Sequence, residues 1–506
     1  MQTQEHPVDV LSTEHLQADL KGHSVRGGFL TITSQGTQFV IQTVSTVALA
    51  RLLTPADFGL VAMVVAVTGL GQAFADLGLS EATIQSEHIN QNQVSTLFWI
   101  NIAIGVGLAV ITASLAPVLA WFYREPRVNE ITVVTSLTFL ICGLRAQHEA
   151  ILRRQMRFSA LVVRDIVSLA LGVFVAVTMA LRGAGYWALV AQPLITNFSQ
   201  MVLSWLMVKW VPGLPRLDSK VRSMVAFGGN VAASYLIMTV NRSADNALVG
   251  WYWGAGPLGL YSRAYNLLML PVRHLSIPAG SVVIPAFSRM QSDRERFARY
   301  YLRAMNLIFW IAAPVFGFLF VAAGPVITLV LGTQWKSAAP VFQILAISAV
   351  GQLLLESTIW LFVSQGHSDR LLKLLLIVSP VVVGSFAIGL PFGIMGVALS
   401  GSLVLLAILP WILKFAFRGT DLTLRQLGRA IMYPISISFA GVVLSELASH
   451  LVTPNSLLAQ FLTDAAGFAV AYSLSALIPP VREEFMSFAN LSSELRLSSQ
   501  TAQPVA

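Results

Sequence analysis

The chain has 506 residues, 55% of them hydrophobic and only 11% charged, whereas a soluble domain usually carries about a quarter charged residues. That excludes a soluble globular protein and leaves an integral membrane protein with room for a dozen or more helices of roughly 20 residues each. The single cysteine, Cys142, lies in an apolar run and excludes a disulfide framework or a Cys-based metal site, and the net charge of +8 takes its meaning from where the Lys and Arg sit.

Residues 1–27 are polar, with no apolar core followed by a small-residue cleavage site, and read as a cytoplasmic tail rather than a signal peptide. Fourteen apolar runs of spanning length follow. Six lie near 28–50, 58–80, 94–122, 128–148, 159–181 and 185–210, and six more near 223–250, 257–287, 302–331, 338–364, 370–391 and 393–416. A last pair lies near 430–450 and 457–479. The expected fold is all-α and polytopic, with about 14 transmembrane helices. Its expected parts are a six-helix lobe (28–211), a cytoplasmic linker (212–222), a second six-helix lobe (223–417), two added helices (418–480) and a cytoplasmic tail (481–506).

An internal repeat supports two parallel lobes. Arg51-Leu-Leu-Thr-Pro-Ala-Asp-Phe-Gly-Leu60 follows the first span, and Trp251-Tyr-Trp-Gly-Ala-Gly-Pro-Leu-Gly-Leu260 follows the seventh. Phe98-Trp99-Ile100 recurs as Phe309-Trp310-Ile311, and Gly183 with Ala188-Leu189 recurs as Gly393 with Ala398-Leu399. Six helices per copy is an even number, so both copies enter the membrane from the same side. With the N-terminus inside, cytoplasmic segments hold 24 of the 32 Lys and Arg and the opposite face five. This bias places both termini in the cytoplasm. The remaining three, Arg242, Arg263 and Arg273, fall inside spans.

No G-x-x-x-x-G-K-[ST] loop, zinc-protease pair or G-x-S-x-G elbow is present, and the external connections are too short for a catalytic platform. Neither an enzyme nor a cofactor is expected. The informative residues are polar ones within the spans, because an ionised side chain near the bilayer centre costs about 2.5–3.5 kcal/mol on insertion scales. Gln35, Gln38 and Gln42 share a face of the first helix, where they bond to another helix or meet water. In the seventh, Asn241 and Arg242 precede Asp245 and Asn246; Arg242 and Asp245 either neutralise one another or face a ligand. In the eighth, Arg263, Asn266 and His274 share a face with Arg273 at its margin and no acid in that helix balances them, which suits an anionic ligand. Asp76, Asp245 and Glu356 are the candidates for a coupling proton or cation. Arg153, Arg154 and Arg157 read as an orientation signal that meets anionic headgroups. Most of Tyr235, Trp251, Tyr252, Trp253, Tyr261, Tyr265 and Trp360 read as interfacial aromatics, with stacking on sugar rings as the alternative.

The stretches 51–60, Phe74-Ala-Asp-Leu-Gly-Leu-Ser80, Leu152-Arg-Arg-Gln-Met-Arg-Phe158, Arg242–Asn246 and Leu258-Gly-Leu-Tyr-Ser-Arg-Ala-Tyr265 carry a resemblance that covers Gly28 to Arg418. The chain resembles the polysaccharide transporter family of the multidrug/oligosaccharidyl-lipid/polysaccharide exporter superfamily, in particular its lipopolysaccharide and colanic acid exporter type of O-unit flippase. The resemblance implies two six-helix lobes around a central cavity that alternate access across the bacterial inner membrane. It also implies an undecaprenyl-diphosphate-linked oligosaccharide as cargo. A polysaccharide polymerase and a chain-length regulator are the implied protein partners, membrane lipids surround the chain, and nucleic acid has no part. Arg242, Arg263, Arg273 and His274, with Asn241, Asn246 and the three glutamines, would then line the cavity and hold the diphosphate. The alternatives are a drug/cation antiporter or peptidoglycan-precursor flippase of the same fold, and a membrane polysaccharide polymerase or ligase.

Overall fold

The computed structural model describes residues 20–72, 79–86, 89–216, 243–291, 293–479 and 481–482, so Asp76, Tyr235, Asn241 and Arg242 lie outside the described residues. Among the described residues every regular element is helical, and nine segments are long and apolar enough to cross a membrane. In order they are α1 (Leu20–Leu52), α2 (Pro55–Gln72), α3 (Leu79–Gln85), α4 (Gln91–Tyr123), α5 (Arg127–Arg154), α6 (Phe158–Leu181) and α7 (Trp187–Val208). Helical residues 243–253 form α8. Then come α9 (Ala255–Ser288), α10 (Arg294–Val321), α11 (Ala323–Leu331), α12 (Ala339–Ser364), α13 (Ser368–Gly389), α14 (Gly393–Ala416), α15 (Leu424–Val452) and α16 (Leu457–Ser475).

Local chemistry sets the ends. Asn90 and Gln93 form a reciprocal capping box at the start of α4, and Thr423 with Gln426 repeats it on α15. The expected run 302–331 is two helices, broken at Ala322, because Pro325 offers no N–H to continue the ladder. Helix α9 carries Pro271, Pro278 and Pro285, spaced two turns apart.

The chain falls into two compact units, Met1–Arg263 with Phe386–Val397, and Ala264–Ser385 with Ala398–Ala506. In the first, α4 lies along α5, α6 along α7, and α1 against α6. Small residues set the α4–α5 approach: a Cβ on Gly143 would stand 2.6 Å from the Asn101 carbonyl oxygen. In the second, α10, α15 and α16 pack together and α12 lies against α10. Phe287, Tyr301, Phe309, Leu361 and Ile412 are all buried in its core, and the Tyr301 hydroxyl meets Ser357 Oγ at 2.8 Å.

Candidate functional site

The two copies of the sequence repeat meet one another inside the first unit. Thr54 caps α2: Asp57 Oδ2 accepts from the Thr54 amide at 2.9 Å and from its hydroxyl at 2.7 Å, with Pro55 at the first helical position. Helix α9 opens after Gly254, whose φ of 78° allows the chain to turn sharply out of α8. The helix starts then cross. A Cβ on Gly59 would lie 1.7 Å from the Ala255 carbonyl oxygen, and one on Gly259 would lie 1.7 Å from that of Pro55. Equivalent positions of the two copies thus approach each other reciprocally, at a distance that only glycine permits.

Beside this crossing Arg263 lays its guanidinium over the Phe58 ring, 4.0 Å from the centroid. Its Nε is buried without a hydrogen-bond partner, and no carboxylate of the described residues forms an ion pair with it. A cation–π contact is worth about 2 kcal/mol when desolvated, which offsets only part of the cost of drawing a guanidinium out of water. What is left is a cation with donors to offer an anion. On α8, Asp245 is buried and engaged on both oxygens: Oδ2 accepts from the Tyr261 hydroxyl at 2.9 Å and Oδ1 from the Asn246 amide at 2.7 Å. Asn246 Oδ1 is buried without a partner. Phe122 stacks on Trp251 at 6.0 Å, and Trp253 Nε1 donates to the Leu390 carbonyl at 2.8 Å.

The other expected residues are dispersed. Gln35 and Gln42 are exposed on α1 while half-buried Gln38 donates to Ser34 Oγ at 2.9 Å. Arg273 and His274, both exposed, and half-buried Glu356 belong to the second unit. The interfacial reading of the aromatics fails for Tyr261 and Trp360, which are buried because Tyr261 has a carboxylate to bond and Trp360 packs against Gly280.

The reading of Arg153, Arg154 and Arg157 as one headgroup-binding run is corrected for Arg154, while Arg153 and Arg157 are exposed. Arg154 is buried and spends Nη1 on the carbonyls of Thr83, Ile84 and Ser86 at the end of α3; Arg153 pairs with Glu149 at 2.8 Å, and Arg157 donates to the Met207 carbonyl at 3.1 Å. Behind them lies an ion network that joins two helices. Glu149 receives Arg164 at 3.1 Å and Arg145 at 3.4 Å, and Arg164, with a side chain 3% exposed, also pairs with Asp165 at 2.7 Å. The i, i+4 spacing of Arg145, Glu149 and Arg153 was the available signal. A strap after α7 completes this end: Gly213 N donates to Ser95 Oγ, Arg216 N to Thr96 Oγ1, each at 2.9 Å, and Trp99 Nε1 to the Gly213 carbonyl.

Known proteins share both the sequence and the fold. The teichuronic acid biosynthesis protein TuaB of Bacillus subtilis is 26% identical over 65% of this chain and 69% of its own length. The succinoglycan biosynthesis transport protein ExoT of Rhizobium meliloti is 26% identical over 63% and 65%. The lipopolysaccharide biosynthesis protein WzxC of Escherichia coli is 23% identical over 68% and 72%. These matches span about two thirds of each relative. In fold, the chain superposes on a lipid II flippase MurJ in an inward closed conformation with TM-score 0.67, at 13% identity, over 89% of this chain and 99% of that one. An inward-facing multidrug MATE transporter of the MOP superfamily gives 0.60 at 16% identity, over 76% and 96%. The family model described as "Polysaccharide biosynthesis protein" matches residues 48–340, a stretch that contains both copies of the glycine motif and Arg263, and the chain belongs to that family.

Proposed function

We propose that this protein is a multi-pass inner-membrane flippase, with both termini cytoplasmic, that moves undecaprenyl-diphosphate-linked oligosaccharide units across the bilayer by alternating access for surface polysaccharide assembly. The observation that carries the reading is Arg263, a cation within a span that has an aromatic ring for a neighbour and, among the described residues, no carboxylate ion-pair partner. A lipid diphosphate brings negative charge that hydrocarbon does not accept, and a guanidinium supplies the matching donors. Arg242, Arg273, His274, Asn241 and Asn246 are the further candidates in this proposal for meeting the diphosphate, and Gln35, Gln38 and Gln42 for meeting the glycan. Asp76, Asp245 and Glu356 are the candidates in this proposal for the group that couples an ion gradient to the cycle. The names of the relatives, which concern teichuronic acid, succinoglycan and lipopolysaccharide, support a polysaccharide cargo over a drug, and a cationic lining disfavours the cationic drugs of an antiporter. The polymerase and chain-length regulator of the same pathway are the proposed partners.

The test is export of surface polysaccharide in a strain lacking the native gene. Arg263→Ala should abolish export at unchanged membrane abundance, and Arg263→Lys should retain part of it. Normal export by both variants would remove Arg263 from cargo binding.

A further inference from the structure

The glycine crossing is unusual in what it joins. Gly59 and Gly259 sit 200 residues apart at equivalent places in the repeat, and each blocks the other's Cβ with main-chain atoms, Ala255 C=O on one side and Pro55 C=O on the other. Main chain does not move aside as a flexible side chain would. Gly256, one turn earlier on α9, has nothing within 4 Å of a Cβ, so the close approach is confined to the one pair. The residues carried by the crossing are the ones that define the cationic site: Phe58 precedes Gly59, and Arg263 follows Gly259 by one helical turn. Separating the glycines therefore takes the ring off the guanidinium. Below the crossing Met63, on the turn after Gly59, is fully buried, and a Cβ on Gly250 would stand 3.2 Å from its Cγ.

We infer that the Gly59–Gly259 crossing is the seam at which the outer ends of the two repeats part in each transport cycle, and that Phe58 is the positioning residue that holds Arg263 while the seam is closed. A contact made by main-chain proximity closes tightly, and its opening breaks the cation–π contact of Phe58 with Arg263. In the closed state Arg263 loses solvent on the face covered by Phe58; in the open state the face is wetted, so the hold on an anion weakens as the path outward opens. Linkage requires the converse, that an anion held by Arg263 favours the closed seam. The inference rests on alternating access as proposed above, and its first test needs no cargo.

In a Cys142→Ser background, Met63→Cys reports on the seam through its reaction with a membrane-impermeant maleimide added outside intact cells. Overpacking a tight contact shifts the balance between open and closed states, so Gly59→Ala or Gly259→Ala should speed labelling about tenfold or more. Gly256→Ala should leave the rate as in the parent. Equal rates in all three variants would overturn the seam. Should the alanine variants fail to accumulate, the parent glycines still decide: Met63→Cys that exports normally yet never labels is incompatible with a seam that parts in each cycle. For Phe58, Phe58→Tyr should preserve export and Phe58→Leu should lower it severalfold; equal export by both would remove the positioning role. Normal export by Arg263→Ala together with fast labelling of the glycine variants would defeat the anion reading and leave the seam standing.

Discussion

Replacing Glu149 with Gln removes the one carboxylate shared by Arg145, Arg153 and Arg164, and the three arginines are not equally affected. Arg153 is 53% exposed and loses a contact that water readily replaces, whereas the Arg164 side chain, 3% exposed, is left with Asp165 alone. Breaking a buried pair costs about 3–5 kcal/mol; because Asp165 stays at 2.7 Å, the loss falls below that range, about 2–3 kcal/mol. Arg153→Ala, by contrast, should cost less than about 1 kcal/mol. Thermal unfolding of the detergent-solubilised protein, followed by tryptophan fluorescence, should then rank the parent and Arg153→Ala together and Glu149→Gln well below them. Equal midpoints for the two variants would mean that burial of Arg164 does not set the energetics of this network.

Gly143→Ala should destabilise the α4–α5 pair by about 1–3 kcal/mol, since its Cβ would meet the Asn101 carbonyl at 2.6 Å, while Gly107→Ala, with nothing within 4 Å, should be neutral or stabilising in the same unfolding assay. The hydrogen bond from Arg127 holds the Glu125 carboxyl, in the α4–α5 connection, below its ordinary value. A depressed pKa stabilises the fold above the ordinary value of 4.5 and the contribution is lost as pH falls through the lower, folded value; Arg127→Ala should flatten the acid limb of stability by less than about 1 kcal/mol, read as unfolding midpoint against pH. Thr96→Val removes the acceptor for Arg216 N, so trypsin should cut after Arg216 severalfold faster, read by gel in membrane vesicles.

The spanning helices could be read from the sequence because lipid demands long apolar runs, and the expected runs that fall on described residues coincide with helices. The break at Ala322 could not, since both sides of it are apolar and only Gly324-Pro325 marks it. The candidate site divides the same way. An arginine without an acid in its own helix is visible in one dimension, as Arg263 was, but Phe58 in a stretch of apolar residues gives no sign that a cation rests on it. The repeat displayed Gly59 and Gly259 as equivalent, yet equivalence does not say that two positions touch. The pairing of Arg164 with Glu149 is not visible in one dimension because the two lie on different helices.

Prolines 271, 278 and 285 bear on how α9 lives in a membrane. Each lacks the amide that would close a ladder bond four residues earlier, so carbonyls at a heptad interval, those of Leu267 and Ser281 among them, lose that ladder donor on one side of the helix. Hydrocarbon offers such oxygens nothing, and only water or neighbouring polar groups satisfy them. Helix α9 therefore owns a second stripe of polarity written in main chain, invisible to any scale that scores side chains, and that flank belongs against moisture rather than acyl chains.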